Sequence, residues 1–134
     1  MTPEAERSLE KADNCLTTAR AELGINLSSE AGRNAYLGAF HAARAFIFER
    51  TGKVLRRHES VHREFHWLAK DEPAIDSGFL PFLSQGYNMK AIADYDTTPG
   101  SFVSSEDAAA AIKTAPRFVQ CIRRILTPSR GPTP

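Results

Sequence analysis

Apolar residues in this chain recur every three or four positions, and no segment alternates convincingly every two. That periodicity restricts the fold to helices packed on helices. Leu9, Ala12, Leu16, Ala19 and Leu23 make one stripe, with Gly24 placed to end it as a C′ glycine. Ser28 and Ser29 precede a long alanine-rich segment as candidate N-caps, and Gly52 closes it. Its main stripe is Tyr36, Phe40, Ala43 and Ile47, and its small residues (Gly32, Gly38, Ala39, Ala42, Ala43) allow neighbouring helices to come close. Val61, Phe65 and Leu68 mark a third helix. Phe79, Leu83, Tyr87 and Ile92 mark a fourth, with Pro81 in its first turn. "SSED" at 104–107 opens a fifth, where Ala108, Ile112, Ala115, Val119, Ile122 and Leu126 repeat at 4-3-4-3-4 spacing. Pro116 inside that helix is expected to kink it. The reading is an all-α, five-helix up-and-down bundle, with helices near residues 4–23, 28–52, 58–70, 77–95 and 104–126.

At 134 residues the chain can bury a real core as one domain over residues 1–126, with "TPSRGPTP" at 127–134 as a disordered tail. A net charge of +1 gives no global positive field, so any nucleic acid must be held by a local patch. Cys15 and Cys121 lie far apart with no CxxC, which fits buried thiols in a reducing cytoplasm. No apolar run approaches the roughly 20 residues of a membrane span. "MTPEAERSLEKAD" reads as amphipathic rather than as a signal peptide.

The stretch "RRHESVHREFHW", residues 56–67, is the densest in chemistry-bearing groups. His58, His62 and His66 are four apart and drift about 40° per step around a helix, so they share one broad face. Two histidines at i and i+4 can chelate a metal, but a third ligand is needed. Glu64 gives H-x-E-x-H, which turns the carboxylate to another side. The stripe is expected to be a solvated or partly buried polar face, with no metal and no cofactor. Arg57 and His62 spell R-x4-H, a form too short to weigh much with Arg57 at the very start of its helix. There is no GxGxxG, Walker loop or G-x-S-x-G.

Two stretches carry a family resemblance. "RNAYLGAFHAARAFIFERTG" (33–52) is followed by "RHESVHREF" (57–65), and "YNMKAIADYD" (87–96) is followed by "VSSEDAAAAIKTAPRFVQCI". Together they resemble the small bacterial HEPN proteins, whose second helix reads roughly R-A-Y-Y-A-x-F-H-A-A and whose fourth ends in R-x-x-A-D-Y. The resemblance implies a helical bundle, commonly a homodimer, whose frequent neighbour is a minimal nucleotidyltransferase in toxin–antitoxin or defence pairs. It also implies, for many members, a metal-independent ribonuclease using R-x(4–6)-H, in which the arginine holds the scissile phosphate and the histidine moves a proton.

The chain departs from that motif at its centre. In "KAIADY" the arginine position is Lys90 and the histidine position is Tyr95, preceded by Asp94, and no histidine follows His66. Lysine binds phosphate as a point charge without the bidentate fork, and tyrosine is a poor general base at neutral pH. Lys90, Asp94 and Tyr95 are therefore the candidate remnant of a catalytic site. Arg33, His41 and Arg44 are candidate binding residues on a stripe of the second helix that could face the Lys90–Tyr95 end of the fourth. The plainer alternative is a buried His41 with Arg33 paired to Asp94 or Glu30. The expected function is a HEPN-like binding module, dimeric, pairing with a nucleotidyltransferase and binding RNA or a nucleotide. The alternatives are an active ribonuclease with a relocated site and a purely structural partner. Phe79, Phe82, Leu83 and Tyr87 crowd one helix, so part of that surface is expected to be buried in a symmetric dimer.

Overall fold

The computed structural model describes residues 1–127. Five helices follow one another: α1 (Pro3–Gly24), α2 (Ser28–Thr51), α3 (His58–Ala69), α4 (Phe79–Tyr95) and α5 (Ser105–Leu126). Among the described residues there is no strand. The expected tail, apart from Thr127, lies outside the described residues.

The helix ends follow local chemistry, with two departures from expectation. Thr2 caps α1 by accepting from the Ala5 N–H at 3.2 Å, and Ser104 caps α5 by accepting from the Asp107 N–H at 3.0 Å. Gly52 ends α2 in the left-handed conformation with φ 74°. Gly24, however, is still helical, and the left-handed residue of the first turn is Asn26 with φ 65°. Ser28 and Ser29 do not cap α2. Ser28 Oγ donates to the Val103 carbonyl at 2.6 Å, and Val103 N donates to Ser29 Oγ at 3.0 Å. These hydroxyls tie the start of α2 to the segment before α5, a long-range demand that local capping rules do not contain. α5 continues through Pro116 to Leu126.

α2 is the axis of the bundle and touches all four other helices. Its sequence requires this, because Ala31, Ala35, Tyr36, Ala39, Phe40, Ala42, Ala43, Phe46 and Ile47 bury apolar groups on nearly every side. Gly38 lets α1 in: a Cβ there would lie 2.7 Å from a Leu16 methyl carbon. Phe46, Phe65, Phe118 and Phe79 form a chain of rings, with successive centroids 5.6, 5.3 and 5.1 Å apart, that locks α2, α3, α5 and α4 together. Burying each ring is worth about 1.5–3 kcal/mol relative to exposure. Phe79, Phe82 and Leu83 belong to this core, so they are not the spare dimer surface that crowding on α4 suggested. Tyr87 alone of that group stays exposed.

Candidate functional site

The polar centre lies where α2, α3 and α4 meet. Arg33 on α2 donates from Nε to Asp94 Oδ1 at 2.7 Å, and Lys90 donates from Nζ to Asp94 Oδ2 at 2.6 Å. Lys90 and Asp94 are one turn apart on α4, which alone explains their meeting. Arg33 comes from 61 residues away and depends on the α2–α4 packing. Partial desolvation would raise the Asp94 carboxyl, but Lys90 and Arg33 overcome it and hold the group below its ordinary range. Lys90 Nζ also lies 5.4 Å from the centre of the Tyr95 ring, and Tyr95 is exposed. Lys90, Asp94, Tyr95 and Arg33 thus form one group.

Immediately beside it is a constellation that the sequence did not disclose. The Tyr36 hydroxyl lies 2.6 Å from His58 Nδ1 and 2.7 Å from His62 Nε2, and the Tyr36 side chain is fully buried. A phenol has one proton, so it donates to one imidazole and accepts from the other. The two histidines must therefore hold complementary tautomers, and a change at one forces a change at the other. Burial, with Tyr87 nearby, keeps the Tyr36 phenol protonated well above its usual range. Burial also lowers both histidines. The Lys90 charge pushes His58 further down, opposed by Asp94, and His58 does the same to His62.

Neighbouring rings fix this arrangement. Phe40 stacks on His58 at 4.2 Å between centroids, and Tyr87 approaches His58 and His62 at 5.2 and 5.9 Å. Gly86 admits the Tyr36 ring against α4, since a Cβ at Gly86 would come within 2.6 Å of it. The histidine stripe consequently divides. His58 and His62 are half-buried on Tyr36, while His66 is exposed; His62 also borders the shallow surface that His66 and Trp67 line, and His58 does not. Arg57 is exposed at the N-cap of α3. Among the described residues no three His, Cys, Asp or Glu side chains are grouped to hold a metal. One signal in the sequence did point here: a tyrosine on the main buried stripe of α2 needs a partner for its hydroxyl.

His41 and Arg44 do not join this centre, contrary to the shared cleft the stripe suggested. Eight residues of helix separate Arg33 from His41, which is about 12 Å of rise as well as about 80° of rotation. The two residues face α1 and the connection after α2 instead, where Arg44 Nε donates to the Leu55 carbonyl at 2.8 Å. His41 is buried, and its pKa falls to about 4 through burial and the nearby charges of Arg44 and Lys11. Cys15 and Cys121 are half-buried free thiols, with Cys121 donating to the Ala74 carbonyl at 3.3 Å.

A helical bundle with cationic and imidazole groups collected between its second, third and fourth helices defines a class of small all-α proteins. The HEPN domain model matches residues 5–125, and the chain belongs to the HEPN domain family. No curated protein matches it. No helix among the described residues is long and apolar enough to cross a membrane.

Proposed function

We propose that this HEPN chain is a cytoplasmic bacterial binding module for an RNA or nucleotide phosphate, acting as a homodimer with a minimal nucleotidyltransferase partner in a toxin–antitoxin or defence-type pair. One observation carries the binding reading: Arg33 and Lys90 converge on the single carboxylate of Asp94. Two cations against one anion leave one positive charge over, which matches one phosphodiester. Arg33 supplies the planar fork that Lys90 lacks. The Tyr95 and Tyr87 rings, both exposed at this end, are suited to stacking on a base. The family supports the dimer and the partner.

Binding of a fluorescent single-stranded RNA, measured against salt, tests this. Wild type is expected to bind. Arg33→Gln and Lys90→Gln are each expected to weaken binding and to reduce the salt slope by about one. Equal binding by wild type and both variants would remove the site from consideration. Light scattering at tens of micromolar is expected to give twice the 14.8 kDa chain mass, and co-expression with an adjacent nucleotidyltransferase is expected to yield a complex.

A second reading, an active metal-independent ribonuclease, draws on a different observation. No histidine follows Lys90 in the sequence. His58, on α3, stands beside Lys90 in space, and Tyr36 couples it to His62. Lowered imidazole pKa values keep one nitrogen available as a base near neutral pH. Cleavage of RNA by wild type in the presence of a chelator, lost in His58→Ala, would favour this reading over simple binding.

A further inference from the structure

Phe40 touches both groups. Its ring stacks on His58, as described above, and meets His41 edge-on at 5.4 Å between centroids, with the Arg44 guanidinium 5.9 Å from its centre. Beyond it, between α1, α2 and the connection after α2, is a cleft of about 250 Å3. Four cations line it, Arg7, Lys11, Arg44 and Lys53, against one carboxylate, Glu4. Arg7 is paired with Glu4 at 3.6 Å, and Lys53 with Glu64 at 3.3 Å. Lys11 and Arg44 have no carboxylate partner among the described residues.

Arg44 is not a solvated surface cation. Its Nε–H is committed to the Leu55 carbonyl, and Nη1 lies 3.5 Å from His41 Nδ1. Arginine only donates, so Nδ1 is the acceptor and the His41 proton sits on Nε2. The guanidinium is therefore held in one orientation beside a neutral imidazole that adds a donor without adding charge. The remaining wall is apolar, formed by Ile47, Phe48, Val54 and Leu55.

We propose that this cleft binds a small organic phosphomonoester, its dianionic head held by Lys11 and Arg44 and its apolar body lying against Phe48 and Leu55. Two unpartnered cations match a dianion, where the Arg33–Lys90–Asp94 group has one charge to spare. The apolar wall distinguishes the ligand from inorganic phosphate. The burial and neighbouring charge that hold His41 near 4 give the site its own reporter, because a bound dianion raises that value.

Calorimetry at pH 7.5 with phenyl phosphate, inorganic phosphate and phenol tests the proposal, with the His41 ring protons followed by NMR during acid titration. Phenyl phosphate is expected to bind with Kd below about 1 mM. Inorganic phosphate should bind roughly tenfold more weakly and phenol not detectably. Saturating phenyl phosphate should move the His41 midpoint upward. Lys11 is exposed on α1, so Lys11→Glu should fold normally, lose at least about tenfold in affinity and abolish the His41 shift. Lys11→Arg should retain both. No binding of phenyl phosphate at millimolar concentration, equal affinity for inorganic phosphate, or unchanged binding by Lys11→Glu would each overturn the proposal. None of these readouts depends on whether RNA binds at Arg33 and Lys90.

Discussion

The Tyr36 hydroxyl stands 2.6 Å from His58 Nδ1 and reaches His62 through its other side at 2.7 Å, so a residue of α2 sets the tautomers of two residues of α3. Tyr36→Phe keeps the ring and removes the link. It leaves two half-buried imidazole nitrogens without their partner, at a cost of about 1–3 kcal/mol. Urea unfolding at pH 7.5 is expected to show a lower midpoint with an unchanged slope. The His58 and His62 ring-proton titrations should move in the variant, and an unchanged midpoint and titration would show that the link is not formed.

Acid should destabilise the fold before its carboxylates titrate. His41 is held near 4 in the native state, against about 6.5 unfolded, so the unfolded chain binds more protons between those values. Its contribution is complete above pH 6.5 and is lost as pH falls toward 4, to a total on the order of 3 kcal/mol. His58 and His62, also lowered, act in the same direction. Asp94, held below its ordinary range, loses its contribution only at lower pH still. Urea midpoints at pH 7.5, 5.5 and 4.5 should fall steadily, and His41→Gln should flatten part of the fall. A midpoint constant from pH 7.5 to 4.5 would contradict the burial of these imidazoles.

Gly86 and Gly38 should respond differently to alanine. Helix propensity favours alanine by about 1 kcal/mol at both. At Gly86 the new methyl would press on the Tyr36 ring and Cβ, which are held from both sides. The net result should be a loss of roughly 1–3 kcal/mol. At Gly38 the obstruction is the end of the Leu16 side chain, which can rotate, so the loss should be smaller. Thermal melts of the two variants provide the comparison, and a more stable Gly86→Ala would refute the packing described.

The remnant motif can be rebuilt. If the site binds without cutting, wild type and Lys90→Ala both leave RNA intact. Lys90→Arg with Tyr95→His then restores a fork for the phosphate and an imidazole near neutral pH, and cleavage should appear. Cleavage already present in wild type and abolished in Lys90→Ala would replace the binding reading with the nuclease one.

The histidine stripe should hold no zinc tightly, because His58 Nδ1 and His62 Nε2 point at a phenol rather than at a shared empty position. Calorimetry with zinc should find no sub-micromolar site. A tight site that vanishes in His62→Ala would overturn this.

Helical periodicity alone determined the five helices to within two residues at each end, because buried faces repeat at 3.6 residues whatever the partner helix is. Likewise, the plainer alternative of a buried His41 with Arg33 paired to Asp94 was within reach of the sequence. Sequence patterns in two separate stretches were enough to suggest the family. What the sequence could not decide was which faces meet. His58 and His62 were read as a polar face beside Phe65, since nothing local connects them to a tyrosine more than twenty residues earlier. His41 and Arg44 were grouped with Arg33 because they share a helix, yet rotation and rise send them to the cleft beside α1 and the connection after α2. Ser28 and Ser29 have the chemistry of caps but spend it on Val103. Periodicity is a property of one helix, while a site is a property of the contact between several. Only the packing of α2 against α1, α3 and α4 separated two cationic groups that the sequence had merged into one.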